Sequence, residues 1–371
     1  MDAVLAPAPA PARSAAPRPP KLWVPRRVLA TPAALEHAHG RAILERAAAL
    51  GAEVVRLKAN RLSNLSGDDP ARAYATAKNT LAVVVAPPAK RRLQPIPPSA
   101  DWRFDLAEGC PAHCQYCYLA GSLQGPPVTR VYANVEEILA GLRDYEGRGA
   151  VTSPSEARAH EGTTFEASCY TDPLGIEHLT GSLAEAIRHF GAWEAPVQLR
   201  FTTKFDAVEP LLGLAHGGRT RVRFSVNAEP VARRFEGGTA RLPERLAAMR
   251  RMAAAGYPVG LTVAPIMPVE GWREHYGRLL DDAAAALAGI AGVDLTVELI
   301  THRFTPGSKE VLLGWYPGTS LEMDEAARAR KTTKFGSLKY VYTPTVMKEM
   351  RAFLERRVAE ALPAARILYW T

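Results

Sequence analysis

Six short segments of β-type pattern alternate with helical segments between residues 105 and 303, and few folds accommodate such a repeat. The β-type segments are 105–110, 163–170, 197–204, 220–228, 257–267 and 293–303. The helical segments are 134–148, 178–193, 207–215, 242–256 and 274–290. The alternation predicts an α/β fold with a parallel sheet and crossover helices, and six repeats favour a partial (β/α)6 barrel over a closed eight-stranded one.

The chain outside this repeat divides into three shorter parts. Residues 1–20 are rich in Ala and Pro and predict a disordered tail, and residues 21–98 predict a small N-terminal α/β lobe with a linker. The proline-rich stretch 86–102 is expected to cross the surface without helix or strand. The partial barrel then occupies residues 99–305, and residues 306–371 form a C-terminal extension.

The composition limits the class of protein to which the chain can belong. With 47% hydrophobic residues among 371, the chain can bury a large core. No apolar run reaches membrane-spanning length without a charge or a turn residue, so no membrane partner is expected. Four cysteines are too few for a disulfide scaffold, which favours a cytoplasmic location. The net charge of +8 favours a polyanionic partner.

Three of the four cysteines lie within one short stretch, GCPAHCQYCYL. Cys110, Cys114 and Cys117 have the spacing C-x3-C-x2-C, and a loop of this kind brings thiolates to zinc, copper or an iron–sulfur cluster. A zinc site needs four ligands, and either His113 or Cys169 is available as the fourth. Three thiolates suit a [4Fe-4S] cluster with one open iron, and the spacing favours this second interpretation.

The segments around these cysteines resemble one family closely. Matching blocks follow the family's order from about residue 21 to the C-terminus: GCPAHCQYCYL, RVYANVEEI, FEASCYTDPLGIEHLTGSL, LRFTTKF, RTRVRFSVN, YPVGLTVAPI, EGW, ELITHRFT and KYVY. The cysteine spacing at the start of a sixfold α/β repeat resembles the radical S-adenosylmethionine (SAM) superfamily. The flanking blocks resemble the spore photoproduct lyase family within it, which implies a radical SAM partial barrel.

The resemblance implies roles for the four cysteines and two tyrosines. The ligands of a [4Fe-4S] cluster would be the three loop cysteines, Cys110, Cys114 and Cys117. The open iron would chelate SAM, and electron transfer into SAM would yield a 5′-deoxyadenosyl radical. That radical would lead to cleavage of the methylene bridge between two thymines, and Cys169 would donate a hydrogen atom to the remaining thymine radical. Tyr116 and Tyr118 would relay the thiyl radical back toward the cofactor.

The resemblance also implies the residues that contact SAM and DNA. The SAM contacts would be Lys204, Ser225, Asn227, Ala264 and Thr171, of which Thr171 replaces the family's serine. The DNA contacts, on a C-terminal β-hairpin that enters the damaged duplex, would be Lys334, Phe335, Lys339, Tyr340 and Tyr342. Lys334 and Phe335 stand where the family usually has arginine and tyrosine. The chain therefore lacks, at these positions, the guanidinium that donates two parallel hydrogen bonds and the phenol hydroxyl.

The function expected on this basis is a DNA repair lyase. It would reverse the spore photoproduct, 5-thyminyl-5,6-dihydrothymine, to two thymines. It is expected to act as a monomer on damaged DNA, with a reducing electron donor such as flavodoxin or ferredoxin. Two alternatives stay open, namely a radical SAM enzyme of the same scaffold with another photoproduct or substrate, and a non-catalytic zinc protein that binds nucleic acid.

Overall fold

The computed structural model describes residues 19–62, 65, 69–120, 122, 127–152, 154–332, 336 and 338–371. Residues 1–18 of the predicted tail lie outside the described residues, as do Lys334 and Phe335 of the predicted hairpin. No helix within the described ranges is long and apolar enough to cross a membrane.

The strands and helices follow one another along the whole described chain. The strands are β1 (Arg27–Ala30), β2 (Glu53–Arg56), β3 (Thr80–Val84), β4 (Gln94–Ile96), β5 (Ala100–Phe104), β6 (Ala107–Glu108), β7 (His113–Cys114), β8 (Thr129–Tyr132), β9 (Thr163–Ala167), β10 (Val197–Thr203), β11 (Thr220–Val226), β12 (Glu236–Gly237), β13 (Val259–Ile266), β14 (Leu295–Thr301), β15 (Ala329–Thr332), β16 (Leu338–Val341) and β17 (Arg366–Trp370). The α-helices are α1 (Pro32–Glu36), α2 (Ala38–Ala49), α3 (Pro70–Lys78), α4 (Pro88–Arg91), α5 (Val135–Ala140), α6 (Glu177–Thr180), α7 (Ser182–Gly191), α8 (Glu209–Leu212), α9 (Glu229–Phe235), α10 (Leu242–Ala254), α11 (Trp272–Leu287), α12 (Pro306–Trp315) and α13 (Pro344–Ala361).

An N-terminal sheet has the strand order β2-β1-β3-β8-β6. Its strands are parallel except for β6, which pairs antiparallel with β8. Helix α2 covers this sheet because Ile43, Leu44 and Ala47 recur at helical spacing and pack against Val28 and Leu81. Strands β6 and β8 flank the cysteine loop in the chain, so the N-terminal sheet holds both ends of that loop.

A second sheet has the strand order β17-β14-β13-β11-β10-β9-β5-β4. Neighbouring strands are parallel from β17 to β5, and β4 pairs antiparallel with β5 at one edge. The sheet curls into a half-barrel, which confirms the predicted α/β partial barrel.

The strands of the half-barrel are buried on both faces but carry different residues on each. Leu199 and Phe201 in β10 belong to the main apolar core, which the surrounding helices complete. Arg200 alternates with them, and its Nη2 atom lies 2.7 Å from Glu298 Oε1. Arg223 Nη1 lies 2.9 Å from Glu298 Oε2. The inner face of the half-barrel is therefore polar and held by buried ion pairs.

Three predictions of local structure are wrong. The first barrel strand is β5 and not residues 105–110, of which only β6 is extended, and β6 belongs to the N-terminal sheet. The stretch 86–102 is not an unstructured linker, since it contains α4, β4 and part of β5. Proline is compatible with both places because Pro88 starts α4 and Pro95 lies in an edge strand. The predicted helix 207–215 is reduced to the single turn α8.

Candidate active site

Most of the predicted site residues lie at the carboxyl ends of the parallel strands. Cys169 lies two residues after β9, and Lys204 follows β10 directly. Ser225 lies near the end of β11, and Asn227 follows this strand. Ala264 lies near the end of β13. Because the carboxyl ends of parallel strands share one edge of a sheet, these residues surround one cleft.

The cysteine loop is tied to the half-barrel by a two-residue antiparallel pairing. Strand β7 pairs with β12, so that Cys114 lies opposite Glu236 and His113 opposite Gly237. All four cysteines are free of disulfide bonds, and Cys114 is the buried one, while Cys110 and Cys117 are partly accessible. Within the described residues, no three His, Cys, Asp or Glu side chains form a group able to hold a single metal ion.

The thiols of the loop lie in a low-dielectric environment. Burial raises the pKa of Cys110 to about 11, an effect that the Lys78 ammonium opposes. Burial also raises the pKa of Cys114 and of Cys117. Each loop thiol acts electrostatically on at least one of the others, which places the three side chains near one another. The thiols are therefore protonated at neutral pH, and a metal centre that binds them as thiolates has to displace their protons.

The two tyrosines of the loop have different surroundings. The Tyr116 hydroxyl donates a short hydrogen bond to Glu236 Oε1, and the Lys204 ammonium lies 5.6 Å from the centre of the Tyr116 ring. The Tyr118 side chain is 60% exposed. The protein around the covered part of its phenol, and then the Cys169 and Cys117 thiols, raise its pKa. Tyr118, the residue after Cys117, is therefore also near Cys169.

Lys204 and Glu236 form the electrostatic centre of the cleft. Lys204 Nζ donates to Ser225 Oγ at 2.7 Å and to Glu236 Oε1 at 3.1 Å. Arg245 Nη1 lies 2.6 Å from Glu236 Oε2. Burial works to raise the pKa of Glu236, but Lys204 and Arg245 outweigh it and lower that pKa to about 2. The carboxylate is therefore ionised at neutral pH and holds both cations in place.

The remaining predicted SAM contacts present a mixture of fixed and free polar groups. Asn227 donates from Nδ2 to the Pro265 carbonyl at 2.8 Å and accepts from the buried Tyr276 hydroxyl at 2.8 Å. The Ala264 carbonyl accepts from Lys204 Nζ at 3.4 Å. The Thr171 hydroxyl is buried and has no hydrogen-bond partner among the described residues.

Cys169 reaches the cleft through an unusual backbone turn. Ser168, the residue before it, has a φ of 57°, which a residue other than glycine seldom adopts. Two hydrogen bonds hold this turn: Ser168 N–H donates to the Phe104 carbonyl at 2.7 Å, and Leu106 N–H donates to Ser168 Oγ at 3.0 Å. The turn follows β9 and fixes the direction of the Cys169 side chain.

The C-terminal hairpin consists of β15 and β16. Lys331 lies directly opposite Lys339 in this pair. Tyr340 and Tyr342 are only 3% and 8% exposed, so they anchor the hairpin. Tyr340 stacks on Phe304 at 5.3 Å between ring centres, and the Arg328 guanidinium lies 3.7 Å from the centre of the Tyr342 ring. The structure therefore separates the hairpin lysines, which are accessible, from its two buried tyrosines.

Sequence reasoning does not find three residues that the structure places at the site. Glu236 pairs with Lys204, Tyr276 supports Asn227, and the ammonium of Lys78 donates to the carbonyl of Cys110 at 2.6 Å. Glu236 follows an ordinary helix in the segment RRFEGGT, and Lys78 ends another helix, so neither carries a local motif. Their roles depend on partners that are distant in the sequence.

The curled half-barrel with a three-cysteine loop at its carboxyl edge defines the radical SAM class of fold. The model of the spore photoproduct lyase family matches residues 23–371. Spore photoproduct lyase of Bacillus subtilis (strain 168) is 40% identical over 350 residues, which are 94% of this chain and 99% of that protein. The enzyme of that name from Geobacillus sp. (strain Y412MC61) is 39% identical over 352 residues, which are 95% and 100% of the two chains.

Solved structures give the same result. Spore photoproduct lyase complexed with dinucleoside spore photoproduct has a TM-score of 0.86 and 39% identity, with 95% of this chain and 100% of that chain covered. A mutant with bound AdoMet and dinucleoside spore photoproduct has the same TM-score and coverage, at 38% identity. The chain therefore belongs to the spore photoproduct lyase family.

Proposed function

We propose that this chain is a radical SAM carbon–carbon lyase that reverses spore photoproduct in DNA to two thymines. One observation carries the proposal: Cys169, free of disulfides, stands at a strand end beside a loop of three further free cysteines. The relatives with bound AdoMet and dinucleoside spore photoproduct support the same substrate and cofactor for this chain.

Cys110, Cys114 and Cys117 would hold the [4Fe-4S] cluster. The three residues fit this group because they are free thiols close together on one loop, and Cys110 and Cys117 are partly accessible. Such a cluster takes each thiolate on a different iron, so its ligands do not have to converge on one ion. When bound, the cluster and SAM supply a 5′-deoxyadenosyl radical through one-electron reduction. A low-potential donor of the flavodoxin or ferredoxin type is proposed as the electron source.

Lys204 and Thr171 would bind the methionine part of SAM. The Lys204 ammonium is held by Ser225 and Glu236 at the edge of the cleft and can pair with a carboxylate as a point charge. The Thr171 hydroxyl has no partner among the described residues and can donate or accept. Asn227, whose amide is fixed by Tyr276, and Ala264, through its backbone, would orient the nucleoside part.

Cys169 would donate a hydrogen atom to the thymine radical. Burial, and then Glu166 and Asp105, raise the pKa of this thiol well above its ordinary value, so it is protonated and carries the required hydrogen. The S–H bond breaks as the thymine C–H bond forms, which leaves a thiyl radical. Tyr118 can return a hydrogen atom from its phenol to that sulfur, since the Cys169 thiol is close enough to act on this phenol. Tyr116 is the further member of the proposed relay.

The hairpin would contact the DNA backbone. Lys331 and Lys339 face each other across β15 and β16, and like charges in this position are unfavourable without an anion. Burial, then Arg303 and Lys331, lower the pKa of Lys339, which indicates a cluster of positive charge. Phosphate groups of DNA would neutralise it.

A reconstitution experiment tests this proposal. Anaerobic reconstitution should give about four irons and four sulfides per chain, and reduction should release 5′-deoxyadenosine from SAM. Addition of the dinucleoside spore photoproduct should then yield two separate thymidines. A colourless protein that retains zinc stoichiometrically would overturn the class, whereas SAM cleavage without repair would overturn only the substrate.

Cys169→Ala tests the assignment of the hydrogen donor. The lesion should still open in this variant while correct product falls and other quenched products appear, because the thymine radical lacks its donor. Iron content serves as the control and should equal that of the unsubstituted chain. Loss of the cluster in this variant would instead identify Cys169 as a ligand.

A further inference from the structure

Lys78 is a buried ammonium at the back of the cysteine loop. It is the last residue of α3, and only 3% of its surface is exposed. Its Nζ atom donates to the Cys110 carbonyl at 2.6 Å and, by a short hydrogen bond, to the Ala112 carbonyl. The ring of Tyr74 lies on another side, with its centre 5.5 Å from Nζ. The N-terminal lobe thus places one positive charge against the loop.

This charge lacks an acidic partner in the part of the chain that the structure describes. No Asp or Glu oxygen among those residues lies within ion-pair distance of Lys78. Two carbonyl dipoles and one aromatic ring carry only partial negative charge, and a buried ammonium without a full countercharge is unfavourable. Both of its hydrogen-bond acceptors, the carbonyls of Cys110 and Ala112, belong to the cysteine loop itself.

Lys204 on the opposite side of the loop differs in this respect. Its ammonium lies 3.1 Å from Glu236 Oε1, a carboxylate that it shares with Arg245 and that is present before any cofactor binds. The Lys204 side chain is also 15% exposed, so water solvates it in part. Among the described residues no carboxylate supplies this negative charge to Lys78, and a negatively charged group held by the cysteines would supply it.

We propose that Lys78 is the internal countercation of the iron–sulfur cluster, and that it stabilises the thiolate ligands and the reduced form of the cluster. The inference rests on the proposed function for the presence of the cluster. Three thiolates give the oxidised cluster a net negative charge, and reduction adds one electron from an external donor without a proton. A fixed positive charge in a medium of low dielectric favours the more negative state. The N-terminal lobe thereby contributes to the redox chemistry of the half-barrel.

The test is the midpoint potential of the cluster in the reconstituted full-length protein, measured without SAM by a redox titration that is followed by electron paramagnetic resonance. Lys78→Met should lower the equilibrium constant for one-electron reduction at least tenfold, which corresponds to about 59 mV. Lys78→Arg keeps the charge and should restore most of the potential. Lys58→Met removes an exposed lysine of the same lobe and should leave the potential unchanged.

Lys78→Gln separates charge from hydrogen bonding, because an amide still donates to the loop carbonyls. If this variant has the potential of the unsubstituted chain, Lys78 only positions the loop and the proposal is wrong. If Lys78→Met fails to assemble a cluster, the Gln and Arg variants still give this comparison. Failure of the unsubstituted chain to bind iron and sulfide would refute the proposed function instead, so the two failures are distinguishable.

Discussion

Two lysines flank the cysteine loop, and they differ in how their charge is balanced. Lys204, on the half-barrel side, forms an ion pair with Glu236, which also contacts Arg245. Lys78, on the side of the N-terminal lobe, contacts two carbonyl oxygens and an aromatic ring. One ammonium therefore lies beside a carboxylate, whereas no carboxylate among the described residues lies within ion-pair distance of the other.

The two lysines are therefore expected to differ in their effects, Lys204 and Glu236 on the stability of the fold and Lys78 on the cofactor. A buried carboxylate between two cations stabilises the fold at neutral pH whether or not a cofactor is present, because removal of one partner leaves the others buried and unpaired. On the proposal made above, the buried Lys78 ammonium gains its countercharge when the thiols bind metal as thiolates. Substitutions on the half-barrel side should therefore change the stability of the apoprotein, and substitutions of Lys78 should change the potential of the cluster.

The largest expected effect is on the stability of the apoprotein. Glu236→Gln should lower its free energy of unfolding by about 3–5 kcal/mol, because Lys204 and Arg245 lose their carboxylate in a buried site. Urea denaturation measures the change. Glu229→Gln is the matched control, since Glu229 pairs with Arg233 on the exposed surface of α9 and should cost about 0.5 kcal/mol or less. Equal losses in the two variants would contradict the central role of Glu236.

The loss of stability in acid should include a contribution from the titration of Glu236. The pKa of Glu236 is about 2 in the folded protein against an ordinary value of 4.5, since Lys204 and Arg245 outweigh burial. A lowered pKa stabilises the fold above pH 4.5, and this contribution of about 3 kcal/mol is lost as the pH falls toward 2. Glu236→Gln should lack this part of the acid transition. Parallel stability curves from pH 5 to pH 2 would refute the assignment.

Lys204→Met should weaken SAM binding about 10- to 100-fold, because a hydrogen bond to a charged group contributes about 1.5–3 kcal/mol. Equilibrium binding of SAM to the reconstituted protein measures this effect. The potential of the cluster without SAM should change less than in Lys78→Met, since a carboxylate lies beside Lys204. Lys78→Met should give the reverse pattern. If Lys204→Met and Lys78→Met changed the SAM affinity and the cluster potential to the same extent, the proposed difference between the two lysines would be wrong.

The smallest effect is expected at the hairpin, where accessible cations also lack a carboxylate among the described residues. Replacement of Lys331 and Lys339 by alanine should weaken DNA binding at all sequences and reduce the slope of log K against log salt by about 1 per lysine. SAM cleavage without DNA should stay unchanged. An unaltered salt slope would show that the hairpin does not contact phosphates.

The parts of the fold that were predictable are those with a local signal. The five later strands of the half-barrel, β9 to β11, β13 and β14, were predictable because buried parallel strands form short apolar runs between helices. The first strand was misplaced, since Ala100–Phe104 follows prolines and mixes apolar and charged residues. The pairing of β6 with β8 was not predictable, because a two-residue strand has no periodicity.

The candidate site shows the same division. The spacing of Cys110, Cys114 and Cys117, and the segment around Cys169, were readable because each is a motif within a few residues. The Tyr116 to Glu236 hydrogen bond joins residues 120 positions apart, and the Lys78 to Cys110 contact joins residues 32 apart. Neither pairing leaves a local pattern.

The sequence by itself determined the half-barrel, the family and the candidate site residues, because hydrophobic periodicity and short motifs are local properties of the chain. Only the tertiary structure decided which buried charge has a partner. That outcome depends on distance and burial: the ammonium of Lys204 lies beside the carboxylate of Glu236, whereas that of Lys78 contacts the carbonyl of Cys110 and has no carboxylate within ion-pair distance among the described residues.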